Sequence, residues 1–506
     1  MKSFASIYIG SYEIVCKVYE LSKEKTIKEI DCIRTWCNIA HDIGQCGQIT
    51  TATLNDILSA LKDMRDTVKM YKVDGYRVYA GYTLETAKNA FFVMDQIKIK
   101  VGFLARFLSN SEQRFLTYQA IASMPDFEKV ISKSALLVDI GGSSLQVTYF
   151  KNGQIVTTEH ILLGAFPIRD IFERLKDKKD SYGQTMEIIH KEISTFFNMY
   201  MKGDEVSYLI LVNDQLHNVV ERLPIEVTDG VVPAESYHKM IEKVKQKKLY
   251  SVISEQTIYD ENDDMIMPFI LLYQGIIDAL PAKKIMIPGV AITEGIAYDY
   301  AFEKGLMKPS HDFEEDVVSA CWAIARRYGS YIPHLKALDK MSQQIFDAMK
   351  KHHGMPKRDR LIVRCAAILH DCGKYISLSD ESRCSYSIIM ASEILGLTHK
   401  ERLMVAYIAA ANRQDMPPYE EISGEFTKPE YIEMQKLVAI LRVANALDRS
   451  HKQKLKKVKM QVRDDILNIS LEAEGSISME KGMFEDKASF FESVHAIRPV
   501  IKEKKL

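Results

Sequence analysis

The sequence predicts an α/β protein made of two similar halves, followed by an all-helical region and a small α+β tail. The same plan of strand, glycine turn and strand occurs twice, in residues 5–19 and 136–150. Apolar residues recur at helical spacing within residues 311–450. In residues 458–471 they alternate on both sides of a polar turn, which predicts a β-hairpin.

The turn in residues 136–150 carries polar groups that suit a phosphate ligand. The apolar run 136–138 predicts a buried strand. It is followed by a carboxylate, a glycine pair and two hydroxyls: Asp139, Gly141, Gly142, Ser143 and Ser144. Glycine lets backbone amides approach a ligand, clustered amides suit a phosphate, and a carboxylate suits a divalent cation or a water. These residues alone fit an ordinary hairpin with a glycine turn equally well.

The first turn, Gly10-Ser11, lies between the two strands predicted in residues 5–19. In a duplicated α/β architecture, a phosphate would lie between the halves and be held by both turns. This plan resembles the acetate kinase–sugar kinase–heat-shock–actin superfamily. The resemblance implies a duplicated actin-like, ribonuclease H-like module.

Composition limits the class of protein. A chain of 506 residues is too long for one core, and 47% hydrophobic with 27% charged residues is typical of a soluble globular protein. The net charge of −1 predicts no general affinity for nucleic acid or membranes. The eight cysteines form no CxxC pair, which fits a reducing cytoplasm. The sequence shows neither a signal peptide nor an apolar run of membrane-spanning length.

Further segments resemble the Ppx/GppA family of exopolyphosphatases and guanosine pentaphosphate phosphohydrolases. Residues 80–89 resemble the family motif A-T-S-A-hydrophobic-R-E-A-x-N, with Glu85 in place of the phosphate-gripping arginine. Residues 108–120 resemble its S-G-x-E-E-A-R-L-x-Y segment. Residues 283–301 resemble its closing glycine-rich segment, with Thr293 in place of an arginine. The resemblance implies hydrolysis of the terminal phosphate of polyphosphate or guanosine pentaphosphate with a divalent metal, Mg²⁺ or Mn²⁺.

The resemblance also implies site residues. The catalytic base of the family is a glutamate, which our alignment places at Gln113, and glutamine cannot accept a proton from water. A shift of one residue would make Glu112 the base. The residues implied in phosphate and metal binding are Gly10, Ser11, Asp139, Gly141, Gly142, Ser143, Ser144 and Gly289. Several positions that contact substrate in the family carry residues of different chemistry in this chain. We therefore expect exopolyphosphatase activity to be weakened or absent.

The helical region contains a second candidate site. His334, His370-Asp371 and Asp448 occur in the order H…HD…D, which resembles the HD phosphohydrolase superfamily. Two imidazoles and two carboxylates supply mixed nitrogen and oxygen ligands for Mn, Fe, Mg or Zn, and a bound metal can make hydroxide at neutral pH. Ser385 lies in the region where the family often has histidines. One metal is therefore expected rather than two.

These observations predict an actin-like subdomain in residues 1–126, a second in 127–305, an HD-type helical domain in 306–454 and an α+β domain in 455–506. The expected protein is a cytoplasmic Ppx/GppA-like phosphohydrolase that binds polyphosphate or a guanosine nucleotide, with neither specific nucleic acid nor membrane as a partner. By analogy with the family, we also expect the protein to form a homodimer. Two alternatives remain open: a metal-dependent HD phosphohydrolase, and a non-catalytic polyphosphate- or nucleotide-sensing protein.

Overall fold

The computed structural model contains two compact units, Met1–Asp312 and Phe313–Leu506. The finer division into four domains stays a prediction. The structure describes residues 2–22, 27–142, 144–175, 180–201, 203–212, 231–233, 235–236, 266–280, 282 and 284–503.

The first unit begins with a five-stranded sheet in the order β3-β2-β1-β4-β5. Strand β1 is antiparallel to β2 and parallel to β4. The strands of this sheet are β1 (Lys2–Ile9), β2 (Glu13–Leu21), β3 (Ile27–Trp36), β4 (Gly75–Ala80) and β5 (Ala105–Phe107). Apolar faces of the accompanying helices cover this sheet and form one core with it. These helices are α1 (Ile39–Cys46), α2 (Thr51–Met70), α3 (Tyr82–Glu85) and α4 (Ala90–Val101).

The second sheet repeats the arrangement of the first. Its order is β10-β11-β9-β6-β7-β8, so β6, β7, β8, β9 and β11 take the places of β1 to β5. The directions match as well, because β6 is antiparallel to β7 and parallel to β9. These strands are β6 (Ser134–Ile140), β7 (Leu145–Lys151), β8 (Gln154–Ile161), β9 (Tyr208–Val212), β10 (Val231–Pro233) and β11 (Lys284–Met286). The common order confirms the predicted duplicated α/β module.

Helices of the first unit pack on both sheets and connect the two halves. Helix α10 lies directly against α5, because Gly295 leaves no side chain between its backbone and the Leu116 carbonyl. Apolar residues of α8 and α9 share a core with the second sheet. The helices are α5 (Asn110–Ala122), α6 (Phe127–Ile131), α7 (Ala165–Leu175), α8 (Ser181–Tyr200), α9 (Ile266–Ala279) and α10 (Ile292–Glu303).

The second unit opens with the predicted helical region. Helix α17 is buried along most of its last three turns, as expected for the central helix of a bundle. A 3₁₀ helix, Cys372–Tyr375, follows α13. The α-helices are α11 (Phe313–Arg327), α12 (Ile332–Ala348), α13 (Arg358–Leu369), α14 (Glu381–Ala391), α15 (His399–Ala410), α16 (Tyr419–Ile422) and α17 (Lys428–Leu447).

The tail is a three-stranded sheet with one helix. Strands β12 (Leu455–Arg463) and β13 (Ile466–Ala473) form the predicted hairpin. Its two turn residues, Asp464 and Asp465, adopt φ +50° and +58°, the left-handed conformation that tight hairpin turns require. Helix α18 (Ser478–His495) then leads to β14 (Arg498–Glu503), which pairs in parallel with β13. The sequence predicted the hairpin and a helix, whereas the parallel third strand is a finding of the structure.

Candidate functional site

Both glycine turns of the first unit line one cavity of 170 Å³. The turn between β1 and β2 contributes Gly10 and Ser11, and the turn between β6 and β7 contributes Gly141 and Gly142. The remaining lining residues are Tyr8, Tyr12, Glu13, Val15, Gln113, Thr117, Asp139, Ile140, Val212, Phe269, Ala291, Ile292 and Thr293. The structure therefore brings together the two turns that the sequence predicted to hold one ligand.

The two turns have the same backbone geometry. The Gly10 amide donates to the Glu13 carbonyl at 2.8 Å, and the Gly141 amide donates to the Ser144 carbonyl at 2.9 Å. A side chain at Gly142 would overlap the ring of Phe166, so this position requires glycine. Such turns leave open backbone beside the cavity, where amides can approach a phosphate.

Asp139, the penultimate residue of β6, lines the cavity beside the glycine pair. Burial raises the pKa of this carboxyl, and the nearby Arg114 partly opposes the rise. A second lining carboxylate, Glu13, accepts two bonds from Arg34 at 3.0 and 3.1 Å. Magnesium is usually held by one or two carboxylates and the phosphates of its substrate. A carboxylate beside the glycine turns, as at Asp139, is therefore a group that could accept Mg²⁺ or Mn²⁺ together with a phosphate.

The two candidates for the catalytic base lie in different surroundings. Gln113 lines the cavity. Glu112 is instead the third residue of α5 in a capping box, where its Oε2 accepts from the Ser109 amide at 3.0 Å and the Ser109 hydroxyl at 2.8 Å. Its Oε1 accepts from Arg106 at 2.7 Å. Burial raises the pKa of Glu112, but the bonds from Arg106 and Ser109 outweigh burial and lower the pKa overall.

Arg114 is a site residue that our sequence analysis missed. Its guanidinium donates to the Gln146 side chain at 2.7 Å and to the Ser144 hydroxyl at 2.9 Å. Ser144 is buried and closes the second turn. The available signal was the arginine of the family segment S-G-x-E-E-A-R-L-x-Y, which our alignment places at Phe115, one position after Arg114.

The remaining predicted residues of this site divide into three cases. The Ser11 hydroxyl lies 2.7 Å from that of Thr83, beside the cavity. Gly289 lies in the loop between β11 and α10 with φ +63°, and it is not among the described residues that line the cavity. Ser143 lies outside the described residues.

Glu294 anchors α10 beside the cavity. Its Oε1 accepts from Lys17 at 2.6 Å and from the Tyr19 hydroxyl at 2.8 Å, while its Oε2 accepts from the Ala291 amide at 2.8 Å. Lys17 is only 7% exposed. Burial alone raises the pKa of Glu294, but Lys17 and the hydrogen bonds outweigh it, so the pKa is lowered. This buried pair joins β2 to the helix whose first residues line the cavity.

The second unit brings the four predicted metal residues together. His334, His370, Asp371 and Asp448 are all buried. His334 Nδ1 lies 2.9 Å from Asp448 Oδ2, and His370 Nε2 lies 3.0 Å from Asp371 Oδ1. The ring centroids of the two histidines are 5.5 Å apart.

Two further residues contact this group. His451 stacks on His334 with ring centroids 3.7 Å apart. Lys374 donates to Asp371 Oδ2 at 2.6 Å. Burial raises the pKa of Asp371, but His370 and Lys374 outweigh burial and leave this pKa far below its ordinary value. The sequence analysis missed His451, although it stands only three positions after Asp448.

Two α/β halves of equal strand order, with paired glycine turns on one cavity, define a protein with the duplicated actin-like α/β fold. This chain belongs to the Ppx/GppA phosphatase family, whose family model matches residues 21–303. The model for "Ppx/GppA phosphatase, domain III" matches residues 320–485. These matches confirm the predicted family. Enzymes of the family are phosphohydrolases of polyphosphate or guanosine pentaphosphate and generally depend on a metal.

Individual relatives are distant. A guanosine-5'-triphosphate,3'-diphosphate pyrophosphatase of Pseudoalteromonas translucida (strain TAC 125) is 21% identical over 406 residues, which cover 78% of this chain and 77% of that protein. The crystal structure of the Ppx/GppA family member of Aquifex aeolicus is 16% identical, with a TM-score of 0.49 over 62% of this chain and 99% of that one. An exopolyphosphatase structure from Cytophaga hutchinsonii ATCC 33406 is 13% identical, with a TM-score of 0.49 over 60% and 99%.

Within the described residues, no helix has both the length and the apolar character needed to cross a membrane. The HD-type nature of the helical domain stays a prediction.

Proposed function

We propose that the cavity of the first unit binds the terminal phosphates of inorganic polyphosphate or guanosine pentaphosphate and hydrolyses them only weakly. The observation that carries this proposal is the placement of Gln113, which lines the cavity where the family alignment expects the base. An amide can accept a hydrogen bond from water but cannot take its proton. Glu112 is not a substitute, because its two oxygens serve the helix cap and Arg106.

The glycine turns, Asp139 and Arg114 are the groups that we propose take part in binding. Backbone amides of the two glycine turns, other than the already bonded amides of Gly10 and Gly141, would bind a terminal phosphate, and Asp139 would hold the divalent metal. That metal would neutralise charge on the phosphate oxygens. Arg114 supplies a cation next to the second turn, in a site whose family arginines are replaced by Glu85 and Thr293. Binding is thus retained, while proton transfer from the attacking water is the step that is impaired.

Restoring the base tests the proposal. Phosphate release from long-chain polyphosphate is measured with Mg²⁺ or Mn²⁺ for the full chain and for Gln113→Glu. Since a positioned base contributes about 10²–10⁴-fold, we expect Gln113→Glu to raise kcat by about 10²-fold or more. The dissociation constant for polyphosphate, measured by calorimetry, should change much less than kcat.

The matched control is Glu112→Gln, one position away on the same helix turn. This substitution removes a charge from the helix cap and leaves the cavity unchanged, so kcat should stay within about twofold of the wild type. The free energy of unfolding should fall by about 1 kcal/mol, because the cap is weakened. Fast hydrolysis by the wild type that disappears in Glu112→Gln would show that Glu112 is the base. A wild-type chain that binds neither polyphosphate nor guanosine pentaphosphate would contradict the proposal as a whole.

A second candidate function is metal-dependent phosphoester hydrolysis in the second unit. The observation in its favour is the buried group of two histidines and two aspartates described above. Hydrolysis of bis(p-nitrophenyl) phosphate after addition of Mn²⁺ or Zn²⁺ should then be lost in Asp371→Asn and unchanged in Gln113→Glu. The reverse pattern would place all of the activity in the cavity of the first unit.

Location and assembly complete the proposal. The absence of a CxxC pair and the near-zero net charge favour the cytoplasm. A homodimer is proposed from family analogy alone. Light scattering of the purified full chain tests it, since a mass near the 57.8 kDa of one chain would exclude the dimer.

A further inference from the structure

Three side chains of the second unit converge, and this inference deepens the second candidate function, because it specifies the metal ligands of that site. His334, Asp371 and His451 each offer one ligand atom, and these atoms all lie within 4.8 Å of one another. His334 and Asp371 are buried, and His451 is half-buried. The set therefore supplies two imidazole nitrogens and one carboxylate oxygen from one small volume.

The second observation is an unsatisfied nitrogen. His334 is fully buried, and its Nε2 has no hydrogen-bond partner among the described residues. Its Nδ1 lies 2.9 Å from Asp448 Oδ2, so the proton belongs on Nδ1 and the lone pair on Nε2. A buried acceptor without a partner destabilises the folded protein, and a metal ion would satisfy it.

Asp448 and His370 lie behind these three side chains and contact His334 and Asp371. Asp448 Oδ1 accepts from the Gln453 amide at 2.8 Å, and its Oδ2 accepts from the Gln453 side chain at 3.0 Å, so the carboxylate is fixed behind His334. The Nδ1 of His370 faces the Ala367 carbonyl at 2.9 Å, while its Nε2 contacts Asp371. A carboxylate behind a ligating histidine sets the tautomer and the orientation of that ring. Both residues act as positioning residues in this arrangement.

We propose that His334 Nε2, His451 and Asp371 bind one divalent transition metal, with Asp448 and His370 as positioning residues. Two imidazoles and one carboxylate with open positions form a ligand set typical of Zn²⁺ and Fe²⁺ sites, whereas Mg²⁺ favours all-oxygen sites. This division of roles differs from the simple H…HD…D expectation, because His451 replaces Asp448 as a ligand. It does not rest on the function proposed for the first unit.

Lys374 decides how tightly the metal is held. Its ammonium lies 2.6 Å from Asp371 Oδ2, so a cation already contacts the only carboxylate among the three ligands. Metal binding must displace this ammonium or share the carboxylate with it. Removing the lysine should therefore tighten metal binding.

The test is metal binding to the full chain, produced without a histidine tag and stripped with a chelator. Zn²⁺ is titrated by calorimetry, and Co²⁺ is followed by its visible absorption, which reports the coordination geometry of the bound ion. We expect one site per chain and a loss of at least tenfold in affinity for His451→Asn. Asparagine is chosen because His451 has φ +55°, a conformation that asparagine tolerates well.

Three further variants separate a ligand from a structural residue. Asp448→Asn should lose about 10–100-fold in affinity, as measured for residues behind metal ligands. Lys374→Ala should gain affinity. The matched control His352→Ala, an exposed histidine of the same unit, should leave affinity unchanged. Circular dichroism of each stripped variant establishes that it is folded before the titration.

Two results would overturn this inference: a wild-type chain that binds no metal, and a His451→Asn variant that binds as tightly as the wild type. Neither result depends on phosphate release. Failure of the metal site would leave the cavity proposal standing, and an inactive or empty cavity would leave the metal titration unchanged.

Discussion

Arg114 Nη2 donates to the Ser144 hydroxyl at 2.9 Å and so connects helix α5 to the second glycine turn. The same guanidinium donates to the Gln146 side chain at 2.7 Å, and this second bond holds the plane of the guanidinium beside the turn. Arginine suits this place because its fixed fork of donors matches the oxygens of a phosphate. In the proposed phosphate site, Arg114 would therefore replace the cation that the family has at the positions of Glu85 and Thr293.

Replacing this cation should weaken ligand binding. Hydrogen bonds to charged groups contribute about 1.5–3 kcal/mol, so Arg114→Ala should raise the dissociation constant for polyphosphate by about tenfold or more. Calorimetry at one fixed salt concentration measures the change. The control is Arg65→Ala, because Arg65 pairs with Asp66 and bonds the Val101 carbonyl, whereas Arg114 bonds the second glycine turn. Equal affinities for Arg114→Ala and wild type would show that the guanidinium serves the turn alone.

The Lys17–Glu294 pair should stabilise the first unit in a pH-dependent way. Removing one partner of a buried pair costs about 3–5 kcal/mol, so Glu294→Gln should lower the unfolding free energy strongly at pH 7. Because the folded-state pKa of Glu294 is lowered, its contribution is present above the ordinary value of 4.5 and is lost as the pH falls through the folded-state pKa. The difference between wild type and Glu294→Gln in urea unfolding should therefore shrink in acid.

An exposed pair provides the comparison for that prediction. Glu192 lies 3.3 Å from Lys191 on helix α8, where Lys191 is exposed and Glu192 is partly exposed. Glu192→Gln should change stability by less than about 1 kcal/mol at either pH. A pH-independent loss in Glu294→Gln would mean that the glutamate acts through packing instead of charge.

The contact between α5 and α10 should not tolerate a side chain at Gly295. A methyl group there would overlap the Leu116 carbonyl, so the two helices must move apart. Such overpacking costs about 1–3 kcal/mol, and it would shift Gln113 and Arg114 on α5. Gly295→Ala should lower both Tm and polyphosphate affinity. Gly44→Ala is the control, since its methyl would meet open space on helix α1 and should stabilise by about 0.5–1 kcal/mol.

Much of the fold follows from local patterns in the sequence. The apolar run before Asp139 and the glycine pair after it define a buried strand and a turn without reference to the rest of the chain. The hairpin of the tail follows from alternation around Asp464-Asp465. The parallel pairing of β14 with β13 does not follow from a local pattern. It depends on how helix α18, which connects the two strands along the chain, packs on the sheet.

The candidate sites were harder to predict, because neighbouring residues in the chain face different ways. Glu112 and Gln113 are adjacent, yet one caps a helix and the other lines a cavity. A signal for this difference was present, since Ser109 and Glu112 form the S-x-x-E pattern of a capping box. His451 carried no such signal, because its ring reaches His334 only through a left-handed turn after Asp448.

Asp359 should make the second unit less stable as the pH rises. This aspartate is 5% exposed, and its Oδ2 has no hydrogen-bond partner among the described residues. Burial raises its pKa to about 7, with Glu433 and Glu401 adding to the rise. Since the folded-state pKa lies above the unfolded value of 3.8, the stabilising contribution is complete below pH 3.8 and is lost up to about pH 7. Asp359→Asn should therefore raise Tm at pH 8 much more than at pH 4, whereas the exposed Asp465→Asn should change Tm equally at both. A gain from Asp359→Asn that is the same at both pH values would show that this carboxyl is ionised in the folded protein throughout.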